Sequence, residues 1–294
     1  MTFTRLALTG DIENVSRMPS WVTSTCAKTL EDVAYLSGAA LSHLHIVLAQ
    51  NDTPHALLRD RLALGAATAC VAFSGRQERA GDLRDALHLL RPGDLPGPAG
   101  ETYLAWRRAV DRPIKINALD RILPNLNENQ IAGWLAAGQG APVSRTAMVL
   151  ETVLDDVPHA DALALIMADA TLAKALGWDY LVPLLAGGLK RADLHKRGED
   201  LRLACHRAII TSSSDAARLA ADLSRRAMRL KSVAPKLRSK GAGGAVEIFL
   251  TRDAVMPSAL PLPDRAARRL CDRLVELGAV RELTGRDTFR LYGV

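Results

Sequence analysis

Four arginines near the end of the chain have the spacing with the clearest chemical use. Arg265, Arg268, Arg269 and Arg273 recur at intervals of three and four residues, which places them on one side of a helix. An arginine side chain can donate two parallel hydrogen bonds to a phosphate or to the edge of a guanine. A row of them on an exposed helix face is therefore expected to bind a polyanion such as DNA.

The same segment has an apolar stripe and a β-prone tail that would orient this helix. Gly278 follows the helix at a position where a left-handed residue commonly ends one. Two β-prone runs, 280–283 and 288–292, flank a turn at 284–287 that carries Arg286. A helix followed by a two-stranded wing is typical of winged helix-turn-helix modules, in which Arg286 would lie at the wing tip. The apolar positions are Ala267, Leu270, Cys271, Leu274 and Leu277.

Further basic residues precede this helix and could follow a phosphate backbone. Lys236, Arg238 and Lys240 lie in a stretch rich in Pro and Gly, 233–244, and a second basic group precedes it. Carboxylates in the helix and hairpin would repel phosphates and weaken the interaction. The second basic group is Arg225, Arg226, Arg229 and Lys231, and the carboxylates are Asp264, Asp272 and Asp287.

The charge of the chain is concentrated at its C-terminal end. Residues 201–294 hold 18 Lys and Arg against 9 Asp and Glu, whereas residues 1–200 hold 20 against 23. This asymmetry favours a polyanion-binding end attached to a slightly acidic body. The alternatives are a solvated basic face and a winged helix that binds a protein partner.

A loop in the middle of the chain offers an alternative site. Residues 91–100 contain three prolines and three glycines, and their backbone amides lead into a helix, a geometry that accepts anions. Arg91 and Asp94 could line such a site, in which case the helical body would be an enzyme or a toxin-like effector. The competing interpretation is a rigid connector between two helices.

The sequence predicts no catalytic residue, no cofactor and no metal site. His43 and His45 differ by two positions and cannot share a helix face. The paired carboxylates at 155–156 and 199–200 lie at predicted helix boundaries, where the helix dipole accounts for them.

The predicted fold class is mainly α, a multi-helix body with a small C-terminal winged helix-turn-helix module that is itself α+β. Leu and Ala are abundant and aromatic residues are few, which favours packed helices over sheets. We expect an irregular arm at 1–28, a helical domain at 29–232, a basic linker at 233–244 and the winged-helix module at 245–294. The end of the helical domain is predicted as two helices, 200–211 and 215–231, with Ser212, Ser213 and Ser214 as candidate N-caps for the second.

The chain has the features of a cytoplasmic protein. No apolar run is long enough to span a membrane, and no secretory signal opens the sequence. Cys26, Cys70, Cys205 and Cys271 are far apart, which favours reduced thiols in the core.

Two family resemblances accompany these patterns. From about residue 32 onward the chain resembles a bacterial family known as domain of unknown function 1403, which implies no particular activity. Residues 273–286 are similar to the winged helix that follows Fic-type AMP-transferase domains, but the Fic catalytic signature is absent, so the resemblance implies nucleic-acid binding without AMP transfer. The segments that match the first family are 35–41, 61–64, 83–86, 91–100, 105–108, 176–178, 182–185 and 279–286.

The resulting hypothesis is a DNA-binding protein that acts as a transcriptional regulator or a DNA-maintenance factor. Its partners would be double-stranded DNA and a second copy of the chain, because two half-sites multiply the weak affinity of one module.

Overall fold

A computed structural model describes residues 17–24, 27–91, 93–115, 128–237 and 241–294. The protein is mainly α-helical, as predicted, with one small antiparallel sheet in this part of the chain. Most of the predicted arm at 1–28 lies outside the described residues, as does the segment 119–123, for which the sequence predicts a short helix. The helices are α1 (Leu30–Leu48), α2 (His55–Phe73), α3 (Ala80–His88), α4 (Gly97–Asp111), α5 (Glu128–Ala137), α6 (Pro142–Asp156), α7 (Asp161–Ala175), α8 (Leu185–Gly188), α9 (Gly198–Val233), α10 (Ala242–Phe249) and α11 (Asp264–Glu276), and the strands are β1 (Arg281–Glu282) and β2 (Tyr292–Gly293).

Thr29, followed by Glu31 and Asp32, predicts the start of a helix, and α1 begins at Leu30. The Thr29 hydroxyl accepts a hydrogen bond from the Asp32 amide at 3.1 Å, which satisfies one of the free N–H groups at the start of α1. The buried face of α1 lies along α9, the longest helix described.

The predicted break at residues 212–214 is wrong, because α9 runs through it as one helix of 36 residues. Ser212 and Ser213 lie inside the helix and are buried. Small side chains let neighbouring elements approach this face of α9 closely. A Cβ on Gly188 would lie 2.5 Å from the carbonyl oxygen of Ala208, one turn before Ser212. Tertiary packing therefore overrides the preference of serine for helix ends.

The short helix α8 depends on a carboxylate buried in the main core. Asp169 of α7 has no solvent exposure and accepts hydrogen bonds from the amides of Leu184 and Leu185 at 3.1 and 3.2 Å. Burial raises the pKa of Asp169 to about 8 even though both amides favour the charged form. The carboxyl group thus orients the chain as it enters α8.

The C-terminal residues share a core with the helical body. Phe249 of α10 and Leu274 of α11 are fully buried in one cluster with Leu57 and Leu58 of α2 and Leu230 of α9. Of the predicted linker 233–244, the described residues form a 3₁₀ turn at Ala234–Lys236 and the start of α10. Whether residues 245–294 form a separate domain stays a prediction.

The C-terminal elements follow the order helix, bridge, turn, helix and hairpin. After α10, Val255 pairs with Tyr292, the 3₁₀ turn Pro257–Ala259 follows, and α11 leads into β1 and β2. The antiparallel register pairs Arg281 with Gly293 and Glu282 with Tyr292. The predicted second strand at 288–292 is wrong in position, since β2 begins at Tyr292 and the connecting loop is correspondingly longer. The winged helix-turn-helix assignment itself stays a prediction.

Candidate nucleic-acid interface

Helix α11 buries four of the five positions of the predicted stripe, whereas Leu277, just past its end, is partly exposed. Ala267, Leu270, Cys271 and Leu274 are buried, whereas Arg265, Arg268, Arg269 and Arg273 are exposed. The apolar side anchors the helix to the second core, so the arginine side faces solvent.

Two of these four arginines are paired with carboxylates of their own helix. Arg268 Nη2 lies 3.0 Å from Asp264 Oδ2, and Arg273 Nη1 lies 2.9 Å from Glu276 Oε2. Both pairs are exposed, and such pairs contribute about 0.3–0.5 kcal/mol on a helix, so a phosphate could displace either carboxylate.

Arg265 and Arg269 differ from their neighbours. Both are exposed, and neither makes an ion pair in the part of the chain that the structure describes. They are therefore the two arginines of α11 that can bind an anion without first breaking an internal contact.

The wing arginine is held by the helical body. Arg286 Nη2 lies 2.6 Å from Asp85 Oδ1 of α3, and both side chains are about one-third exposed at 39% and 32%. This contact fixes the loop between β1 and β2 against the body. Arg286 is therefore restrained rather than free at a wing tip.

The Glu282 carboxylate organises the same loop. It accepts hydrogen bonds from the amides of Thr284 and Gly285 at 2.8 and 2.7 Å. Burial alone would raise the pKa of Glu282, but these bonds and the Thr284 hydroxyl outweigh it and lower the pKa.

Arg229 is exposed, but part of its guanidinium is already hydrogen-bonded at the end of α11. Its Nη2 and Nε donate to the carbonyl oxygens of Leu277 and Gly278 at 2.7 and 2.9 Å. A cation at this position satisfies free carbonyl groups and complements the helix dipole. Gly278 adopts the predicted left-handed conformation, with φ of 61°.

The remaining basic residues have mixed positions. Lys236 is exposed, whereas Arg238 and Lys240 lie outside the described residues. Arg225 and Arg226 pair with Asp222 at 3.4 and 2.7 Å, and Lys231 is exposed. The structure thus brings Arg265 and Arg269 together on one face, and the predicted contribution of the other basic residues stays a prediction.

Sequence reasoning missed a buried ionic network that joins the helical body to the C-terminal elements. Asp253 is fully buried and pairs with Arg61 of α2 and Arg84 of α3. Its amide donates to Asp60 Oδ2 at 2.8 Å, and Asp60 in turn pairs with Arg107 of α4 at 3.2 Å. The sequence did contain one sign of this network, since Asp60 is an aspartate inside the apolar run of α2. Burial raises the pKa of Asp60, and the neighbouring Arg107 opposes this effect.

The network also fixes the end of the chain. Arg61 Nη2 donates to the carbonyl oxygen of Val294 at 3.2 Å, and Val294 is buried. A Cβ on Gly293 would lie 2.4 Å from the carbonyl oxygen of Asp253, so glycine permits the close approach of β2 to this residue.

The alternative site at 91–100 contains a local turn. The Asp94 carboxylate accepts from the Arg91 amide at 3.0 Å, and the Asp94 amide donates to the Arg91 carbonyl at 3.0 Å. The sequence pattern predicts a helix at 102–110, whereas α4 begins at Gly97, because Pro98 suits the first helical turn. The site hypothesis for this loop stays a prediction.

Two further observations concern metal ligands and membrane-spanning helices. Among the described residues, no group of three or more His, Cys, Asp or Glu side chains is arranged to hold a metal ion. The described helices also include none with the length and apolar character needed to cross a membrane.

Comparison with known proteins places the chain in a family. No curated protein matches it. The resemblance to the winged helix behind Fic-type domains stays a prediction. Residues 7–294 match the family described as "Protein of unknown function (DUF1403)", a span that covers nearly the whole sequence. The chain therefore belongs to the DUF1403 family.

Proposed function

We propose that this protein binds double-stranded DNA through the exposed face of α11, as a cytoplasmic regulator or DNA-maintenance factor. The observation that carries the proposal is the pair Arg265 and Arg269, which are exposed on a helix whose other side is buried and which make no ion pair within the described residues. One helical turn separates them, so both could reach one groove.

The order of the surrounding elements supports the same proposal. A helix-turn-helix protein presents its second helix to the major groove, and the hairpin of a winged module lies beside that helix. Here α11 follows α10 and a tight turn, and the bridge between Val255 and Tyr292 ties the hairpin to the segment before α11.

The carboxylates of α11 lower the affinity for DNA that we expect of a single copy. Asp264, Asp272 and Glu276 share the exposed face with four arginines, so the face is only weakly positive. One copy would bind weakly, and we propose a homodimer in which two α11 helices occupy two half-sites. The buried free thiols of Cys70, Cys205 and Cys271 support a reducing compartment.

The test is fluorescence anisotropy of a labelled duplex of random sequence across a salt series. Changing Arg265 and Arg269 together to Ala should weaken binding at least about tenfold at low salt, since each lost phosphate contact removes one counterion-release contribution. The slope of log K against log salt should also fall by about two, if each arginine releases about one counterion.

The matched control changes Arg191 and Arg207 together to Ala. Both are exposed, and they lie on the 3₁₀ turn Arg191–His195 and in the first half of α9. This variant loses the same charge and should bind like the wild type. Equal affinity and equal slope for the α11 variant and the control would overturn the proposal.

A further inference from the structure

A cleft of about 680 Å³ lies between the helical body and the C-terminal elements. One wall is the junction of α1 and α2, a second is the segment 177–182, and a third is formed by the end of α9 and by α10. This volume is that of a small-molecule site. Neither the arginines of α11 nor the loop 91–100 lines it.

Arg59 of α2 is a half-buried cation in this cleft. Its Nε donates to the carbonyl oxygen of Val110 at 3.1 Å, and its guanidinium carbon lies 4.0 Å from the centroid of the Tyr180 ring. It makes no ion pair with any described residue. By contrast, the half-buried Arg61, Arg84 and Arg107 each have a buried aspartate.

The protonation behaviour of Arg59 agrees with this geometry. Burial lowers the pKa of its guanidinium, and the compensation from Tyr180 and Asp111 is incomplete. Asp111 itself pairs with Arg252 at 3.4 Å. A half-buried cation without an ion-pair partner is costly, and an anionic ligand would remove that cost.

The start of α2 adds donors beside Arg59. This helix has no side-chain cap and no acidic residue in its first turn, so the amides near His55 and Ala56 keep their partial positive charge. Burial and the neighbouring Arg59 lower the pKa of His55. Lys231 of α9 also lines the cleft.

Aromatic side chains, among them Trp178 and Tyr180, line the cleft. The indole Nε1 of Trp178 donates to His45 Nδ1 at 2.9 Å, and the two rings lie 6.5 Å apart at an interplanar angle of 21°. This contact fixes the orientation of the indole. The Arg59 guanidinium lies over the Tyr180 ring, so the cleft offers aromatic side chains next to a cation.

Three carboxylates restrict the ligand. Asp52, Asp179 and Glu247 also line the cleft, and none of them forms an ion pair with Arg59. They would repel a bulky polyanion but not one small anionic group placed at Arg59.

We infer that this cleft binds a small organic anion with a flat ring, whose oxyanion group contacts Arg59 and the start of α2 while the ring packs against Trp178 and Tyr180. Such a ligand would contact both the body and α10. This site does not depend on DNA binding, and its test uses no DNA.

The experiment titrates the full chain with defined probes and follows tryptophan fluorescence and calorimetric heat. Benzoate and adenosine monophosphate each combine an anionic group with a flat ring. They represent two classes of ligand, an aromatic acid and a nucleotide. Benzamide removes the charge, cyclohexanecarboxylate removes the flat ring, and inorganic phosphate removes the organic part. We expect saturable binding of benzoate or adenosine monophosphate, at least tenfold tighter than that of the three controls.

Variants locate the site. Arg59→Gln should weaken binding of the preferred probe at least tenfold, whereas Arg191→Gln on an exposed 3₁₀ turn should leave it unchanged. Trp178→Phe provides a second variant, which should remove most of the fluorescence response and weaken binding severalfold. Thermal unfolding verifies that each variant folds.

Several outcomes would overturn the inference. If benzamide bound as tightly as benzoate, the charge would play no part in recognition. If inorganic phosphate bound as tightly as the preferred probe, the ring would play no part. Unchanged affinity in folded Arg59→Gln, or no saturable binding of any probe, would show that the cleft is not such a site.

Discussion

Arg84 Nε donates to Oδ2 of Asp253 at 2.6 Å, although the two residues are 169 positions apart. The contact joins α3 of the helical body to the segment that leads into the Val255 bridge. Asp253 also pairs with Arg61, so one fully buried carboxylate connects two helices of the body to the C-terminal elements. This carboxylate therefore attaches the segment before α11, which carries the proposed DNA-binding face, to the helical body.

Asp253→Asn should destabilise the protein by about 3–5 kcal/mol, because it leaves two half-buried guanidinium groups without their carboxylate. Urea unfolding measures this change. Asp287→Asn, in the exposed loop before β2, should change stability by less than about 0.5 kcal/mol. Equal midpoints for the two variants would contradict the structural role of Asp253.

Asp169 should make stability depend on pH in an unusual direction. Its pKa is raised to about 8 in the folded state, above that of the unfolded chain. The protonated form is favoured by folding, so its contribution is fully present below pH 4 and is lost as the pH rises toward 8. Asp169→Asn lacks this titration. The stability of this variant relative to the wild type should therefore rise between pH 5 and pH 8 in chemical denaturation, and a constant difference would contradict the prediction.

Gly278→Ala should destabilise α11 by about 1–2 kcal/mol, because an alanine pays a steric cost at positive φ. The added Cβ would also lie 3.2 Å from Arg229 Nη2. Gly243→Ala is the matched control. Gly243 lies in α10, and a Cβ added there would have no neighbouring atom within 4 Å, so alanine should stabilise the protein by about 0.5–1 kcal/mol. Thermal unfolding should shift in opposite directions for the two variants, and parallel shifts would contradict the assignment.

Asp85→Asn should strengthen DNA binding if the proposed function is correct. It releases Arg286 from a 2.6 Å ion pair and makes the guanidinium available to a phosphate. We expect a gain of a few fold in affinity at low salt, measured by the same anisotropy assay. Glu101→Gln removes one exposed carboxylate from α4 and serves as the control for net charge. An equal gain in both variants would show that Arg286 plays no specific part.

Local sequence patterns were sufficient for most helices and for the orientation of α11. The spacing of Ala267, Leu270 and Leu274 predicted the buried side, and Gly278 predicted the end of the helix, because both depend on geometry within a few residues. The cap at Thr29 was predictable for the same reason.

Only the tertiary structure determined which charges are available. Arg286 is paired with Asp85 and Arg229 is placed at the end of α11 by helices distant in sequence, and no periodicity encodes such contacts. The uninterrupted α9 has the same origin, since packing around Ser212 and Ser213 outweighed a local preference of a few tenths of a kcal/mol per residue. The sequence thus determined where helices form and which sides they bury, because those properties arise from neighbours along the chain. The fold decided which arginines remain open to a ligand, because ion pairs form between residues that only folding brings together.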